Sequence, residues 1–134
     1  MNTWDDIKTY ITKKYGRPKE HKNDYSKERF MEVRIKLKDG RSQTMLVGDV
    51  PKLGKNWIQI LSPVGKVPKH NLDEALELAY KKKCGGLVKI GSMYYIRHST
   101  PIQDLNEEEF TGAFDFVAYS ADTLEKKFLI VDKL

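Results

Sequence analysis

One cysteine, Cys84, serves the whole chain, so an internal disulfide and a four-thiolate zinc site are both excluded. The three histidines, His21, His70 and His98, have no carboxylate or thiol at metal-ligand spacing, and no metal site is expected. Glycine is scattered: Gly54 and Gly65 stand too far from other glycines to cradle a phosphate. No Gly-rich nucleotide fingerprint occurs, so no cofactor is expected either. No apolar run approaches the ~20 residues that span a bilayer. The opening residues Met1-Asn2-Thr3-Trp4-Asp5-Asp6 lack the basic-then-apolar order of a signal peptide. These absences point to a cytoplasmic protein with no membrane partner.

What is present is charge and a moderate apolar content. Of 134 residues, 40% are hydrophobic and 32% charged, the profile of a single folded domain spanning residues 1–134. The net charge is +5, and it is unevenly spread. Residues 1–70 carry 16 basic and 8 acidic side chains, whereas residues 71–134 carry 8 basic and 11 acidic ones. A basic first half suits an anionic partner, or the acidic half of a neighbouring copy, as well as plain solubility.

Thr3 as N-cap with Asp6 three residues on starts a first helix, whose apolar stripe is Trp4, Ile7, Ile11 and Tyr15. Gly16 and Pro18 stop it. Residues 17–29 are nearly all polar and aperiodic, and read as a mobile connection. Met31, Val33, Ile35 and Leu37 then alternate with Glu32, Arg34, Lys36 and Lys38, as in a half-buried strand. Asp39-Gly40 reads as a two-residue hairpin turn. That register sets Lys38 opposite Arg41, Ile35 opposite Thr44 and Val33 opposite Leu46, and it puts Met45 and Val47 on the outer face beside Arg34 and Glu32.

A third strand covers Trp57 to Leu61 and is expected to end at Ser62-Pro63, since proline cannot donate to a ladder. Asn71 with Glu74 forms a capping-box pattern for a second helix lined by Leu72, Ala75, Leu76 and Ala79. Its basic end is Lys81-Lys82-Lys83, before Gly85-Gly86. Leu87–Ile90, Gly91-Ser92 and Met93–Arg97 make a second hairpin. The last helix starts at Asn106 with Glu109 as capping box and Leu105 and Phe110 as hydrophobic staple. Its stripe runs Phe110, Ala113, Phe114, Val117, Ala121, Leu124 and Phe128.

The order is therefore α-β-β-β-α-β-β-α: an α+β antiparallel sheet of about five strands with three helices. Such a layout leaves sheet face uncovered. Ala75 and Ala79 suit either a close symmetric helix contact between two copies or packing on the sheet. The stretch Ser62-Pro63-Val64-Gly65, the helix Leu72-Asp73-Glu74-Ala75-Leu76-Glu77-Leu78, the hairpin Gly86 to Ile102, Asp104-Leu105 and Ala121-Asp122-Thr123-Leu124-Glu125 together resemble the YbjN-like branch of the type III secretion chaperone-like fold. The resemblance covers mainly residues 62–125. It implies a non-enzymatic, commonly dimeric cytoplasmic domain that holds other polypeptides in a chaperone- or regulator-like role. Members of the secretion branch tend to be acidic, and this chain departs from them in being basic.

No enzymatic constellation competes with that reading. Arg97-His98-Ser99-Thr100 is the most suggestive cluster, but adjacent residues on a strand point to opposite faces, which parts His98 from Ser99. Cys84 reads as an ordinary packed or surface thiol. The leading expectation is a homodimer that binds a protein or peptide client, with Met45, Val47 and Trp57 giving apolar contact and Arg34, Lys36 and Lys38 steering an acidic partner. The alternative is single-stranded nucleic acid on the basic face of the first hairpin, with at most one of Tyr94 and Tyr95 as a stacking platform.

Overall fold

A computed structural model of the chain describes residues 1–22, 28–82 and 85–129. Its centre is one six-stranded antiparallel sheet in the order β1-β2-β3-β4-β6-β5. The strands are β1 (Lys19–Lys22), β2 (Arg29–Lys36), β3 (Ser42–Lys52), β4 (Lys55–Gly65), β5 (Gly86–Ile90) and β6 (Met93–Pro101). Three helices, α1 (Trp4–Tyr15), α2 (Leu72–Tyr80) and α3 (Glu107–Leu129), complete the α+β architecture.

The first helix forms as its sequence dictates. The Thr3 hydroxyl accepts the Asp6 N–H, while Asp6 accepts from the Thr3 and Asn2 backbone, a closed capping box. Those bonds, chiefly that from the Asn2 N–H, hold the Asp6 carboxyl below its ordinary range. Trp4, Ile7 and Ile11 turn inward. The polar connection expected over 17–29 is corrected in part. Lys19–Lys22 is an edge strand paired with Arg29–Glu32, while residues 23–27 lie outside the described residues. Backbone pairing alone makes this strand, so it needs no apolar alternation.

The first hairpin is longer by one residue than a two-residue turn. Gly40 N–H donates to Leu37 O and Leu37 N–H to Arg41 O. Lys38-Asp39-Gly40 is thus a three-residue loop, with Gly40 in the left-handed region at φ 83°. The ladder now pairs Val33 with Met45 and Met31 with Val47. A slip of one residue exchanges the faces of a strand, so Met45 and Val47 are core residues with no exposure.

Strand β4 also outruns its expected end. It passes through Ser62 and Pro63 to Gly65, with a register irregularity between Pro63 and Gly65 where it pairs with β6. Side chains repair the ladder there. Ser62 Oγ donates to Thr44 O at 2.7 Å, and the buried Gln43 amide nitrogen donates to Ser62 Oγ and Pro63 O at 2.8 and 2.9 Å.

The capping box expected at Asn71 does not form. Asn71 ends a 3-10 turn (Lys69–Asn71) and makes no side-chain cap, and Glu74 pairs instead with Lys127 at 2.7 Å. The Asn106 cap on α3 does form, its Oδ1 accepting Glu109 N–H at 2.8 Å. Phe110, Phe114, Val117, Ala121, Leu124 and Phe128 all turn inward from α3. They join Ile7, Met31, Met45, Ile58, Ile60 and Ile96 in one core cluster. An ionic clasp closes the far end. Arg41 binds Asp122 at 2.8 Å, and Lys126 bridges Asp122 and Asp39, tying the hairpin tip to α3.

Candidate partner-binding surface

The cluster that buries the helices uses one side of the sheet only. Met31, Val33 and Ile35 of β2, Met45 and Val47 of β3, Ile58 and Ile60 of β4 and Ile96 of β6 share that side with all three helices. By strand alternation the opposite side carries Phe30, Glu32, Arg34 and Lys36 on β2. The register continues it across Leu46, Gly48 and Val50, then Trp57, Gln59 and Leu61, then Tyr95, Arg97 and Ser99. Among the described residues no helix covers this side.

The chemistry of the open face is mixed in a particular way. Leu46 and Leu61 are directly paired, as are Val50 and Trp57, and all four are only partly buried. Trp57 is anchored by its indole N–H on Lys52 O at 3.2 Å. Beside it lies a notch of roughly 230 Å³, lined by Val50, Lys52, Leu53, Gln59 and Ser99. From Trp57 to Tyr95 the row spans six residues of β6, about 20 Å. Around it stand Lys19, Arg34, Lys36, Lys52, Lys55 and Arg97, against one strand carboxylate on this side, Glu32. Glu32 lies 3.6 Å from His21, which stacks on Phe30. A solvated sheet face ordinarily alternates to polar side chains. This one keeps a greasy centre and a cationic rim.

The residues expected to form a binding surface separate accordingly. Arg34, Lys36 and Trp57 lie on the open face, and Lys38 is exposed in the hairpin loop beyond it. Met45 and Val47 are excluded, being enclosed in the core. Ala75 and Ala79 are also buried in the chain's own core, with 0% and 6% exposure. They pack inward between α2 and its neighbours and are not a surface for a second copy. The outer side of α2 shows Leu76 and Tyr80 instead. Leu46, Leu61, Lys52, Lys55 and Arg97 were missed. For Leu46 and Lys52 the signal was the even-numbered alternation of β3, visible once the hairpin register is right, while Lys55, Leu61 and Arg97 follow from the ladder pairing of β4 and β6.

The polar cluster that the sequence singled out, Arg97-His98-Ser99-Thr100, is divided between the two faces of β6. The ladder pairs His98 with Ile60 and Ser99 with Gln59, which sets the two side chains on opposite faces. Cys84 and Lys83 lie outside the described residues. Among the described residues no group of three His, Cys, Asp or Glu side chains is arranged to hold a metal ion, and no helix is long and apolar enough to cross a membrane. Searched against protein-family models and against curated proteins, the chain matches none of either.

Proposed function

We propose that this is a non-enzymatic, chaperone- or regulator-like domain that holds a partner polypeptide on its open sheet face and works as a homodimer. One observation carries the reading: an uncovered row of Leu46, Leu61, Val50 and Trp57 rimmed by six cations and a single carboxylate. Apolar side chains of a client would bury against the row, and its carboxylates would meet Arg34, Lys36 and Arg97. Two copies meeting through this face would bring cations onto cations, so the client is a different, acidic chain.

A second reading is favoured by one feature. Trp57 and Tyr95 share the face with Lys55 and Arg97, a combination that also serves single-stranded nucleic acid. The aliphatic pair Leu46 and Leu61 between them offers bases no stacking plane, which supports the polypeptide.

The test compares wild type with Leu46→Glu plus Leu61→Glu, immobilised and exposed to extract of the native cell. The reading expects a set of acidic proteins held by wild type and lost by the variant. Identical captures by both proteins overturn it. So does retention of an oligothymidylate at 50 mM salt that collapses by 200 mM, which assigns the face to nucleic acid.

A further inference from the structure

One margin of the sheet carries hydrogen-bonding groups that the chain does not use. The β1–β2 ladder stops at Lys19 opposite Glu32, yet β2 continues to Lys36. Leu37 N–H serves Arg41 of β3, so by antiparallel alternation the odd residues of β2 bond toward β3 and the even ones bond outward. At Arg34 a backbone N–H and a C=O thus point outward side by side, with no backbone partner among the described residues. A ligand that answers both carries an acceptor next to a donor.

These groups border a groove of roughly 960 Å³ between β2 and α3, within the size range of small-molecule sites. Tyr15, Ile35, Leu37 and Ala118 give it an apolar and aromatic shelf on the helix side. On the other side stand the stems of Arg34 and Lys36, which strand alternation sends to the open face. The carboxylates of the groove are already engaged. Asp122 is held by Arg41 and Lys126, Asp39 by Lys126, and Asp115 accepts from the Tyr15 hydroxyl at 3.2 Å. Lys38, at the hairpin end of the groove, has no ion pair among the described residues. Lys14 lies toward α1 and reaches only the Tyr10 hydroxyl, at 3.3 Å, and the Tyr10 and Tyr15 rings.

We propose that this groove binds a free nucleotide, with its base paired to the Arg34 backbone and its phosphate held by Lys38. The Watson–Crick edge of a nucleobase sets a donor beside an acceptor, and two hydrogen bonds join it to the Arg34 N–H and C=O. A base so paired lies in the continuation of the sheet. One of its faces rests on the shelf of Tyr15 and Ala118, and the other meets the stems of Arg34 and Lys36. Lys38 stands four residues along the strand, about 13 Å from Arg34, and its flexible side chain swings toward the phosphate. Simpler ligands answer less of the site. A phosphate ion uses the lysine alone, and an acyl carboxylate uses the shelf and the lysine but leaves the Arg34 pair unbonded. The claim is separate from the polypeptide-binding reading, and each stands without the other.

The probe is uridine 5′-monophosphate, compared with its N3-methyl analogue and with ribose 5-phosphate, by calorimetric titration and amide hydrogen exchange of the full chain. The nucleotide should saturate the protein below millimolar concentration and slow exchange of the Arg34 amide at least tenfold. N3-methylation removes the donor of the base and should weaken binding at least tenfold. Lys38→Glu, a change in an exposed loop, should do the same, while Trp57→Ala on the open face should leave the affinity unchanged. Equal affinity for ribose 5-phosphate would mean that lysines merely gather phosphate, and it overturns the proposal. So does a failure to saturate at millimolar nucleotide, equal affinity for the N3-methyl analogue, or an Arg34 amide left unprotected. Loss of binding in Trp57→Ala moves the nucleotide to the open face and overturns it as well. The capture test with Leu46→Glu plus Leu61→Glu decides the polypeptide-binding reading independently, so the two failures are distinguishable.

Discussion

Ser62 compensates for what Pro63 removes. On β3 the even residues bond toward β4, and Thr44 stands where Pro63 would have to supply a ladder N–H it lacks. The Ser62 hydroxyl occupies that acceptor at 2.7 Å and is itself fully enclosed. Ser62→Ala should therefore strand the Thr44 carbonyl and one of the two Gln43 amide N–H bonds, at a cost of about 1–3 kcal/mol. Urea denaturation measures it, and a loss under about 0.3 kcal/mol would contradict the role. Tyr15 makes a second residue-level case. Burial first, and the nearby Asp115 carboxylate second, push its phenol well above the ordinary tyrosine range. A raised folded-state value favours the protonated form. Its contribution is complete below about pH 10, the unfolded value, and is lost as pH climbs toward the folded one. Phenolate absorbance should show one late-titrating tyrosine that Tyr15→Phe removes, and alkaline destabilisation should be weaker in that variant.

At the scale of elements, ion pairs on carboxylates fasten neighbours together. Glu20 of β1 is lowered chiefly by its hydrogen bond from Lys8 of α1, and Asp39 of the hairpin by that from Lys126 of α3. Asp6, lowered by the cap bonds, belongs with them. Depressed carboxylates stabilise the fold above their unfolded values, about pH 4, and lose that contribution as pH falls through the folded ones. Unfolding midpoints should hold from neutrality to about pH 5 and fall below pH 4, and Asp39→Asn should flatten the fall. The hairpin these pairs secure also shows what was legible. Strand positions, the Asp39-Gly40 reversal and the caps of α1 and α3 follow from local chemistry, which acts within a few residues. Register does not, because a two-residue and a three-residue loop both accept Gly40 at positive φ and differ only in which β3 residues meet Met31, Val33 and Ile35. The clue was energetic: the shorter loop leaves Met45 and Val47 in water and buries Thr44. Met45→Ala should accordingly cost about 2–5 kcal/mol as a core truncation, where a surface methionine would cost almost nothing. Lys19–Lys22 escaped notice for a related reason, since an edge strand held by backbone bonds leaves no side-chain period to read.

For the whole molecule, the layout of three helices on one side decides where a second copy can meet the first. The open face is cationic and repels a copy of itself. The outer side of α2 differs. Leu76 is 47% and Tyr80 88% exposed, one turn apart. Asp73 lies in the first turn of that helix and Lys81 at its end. Two such helices crossing antiparallel on a two-fold axis would bury the apolar pair and set each acidic start against the other's basic end, the self-complementarity an isologous contact requires. Homodimerisation should then depend on Leu76 and Tyr80, whereas the buried Ala75 and Ala79 contribute to folding. Light scattering at 100 µM should give twice the chain mass for wild type and the chain mass for Leu76→Glu plus Tyr80→Glu, with both melting within about 2 °C of each other at concentrations where both are monomeric. Higher salt should weaken the dimer, since part of its attraction comes from those paired ends. A wild type that stays monomeric would remove the dimer from the reading and leave the open face to work alone, because a face that repels its own copy needs no second protomer to stay vacant for a client.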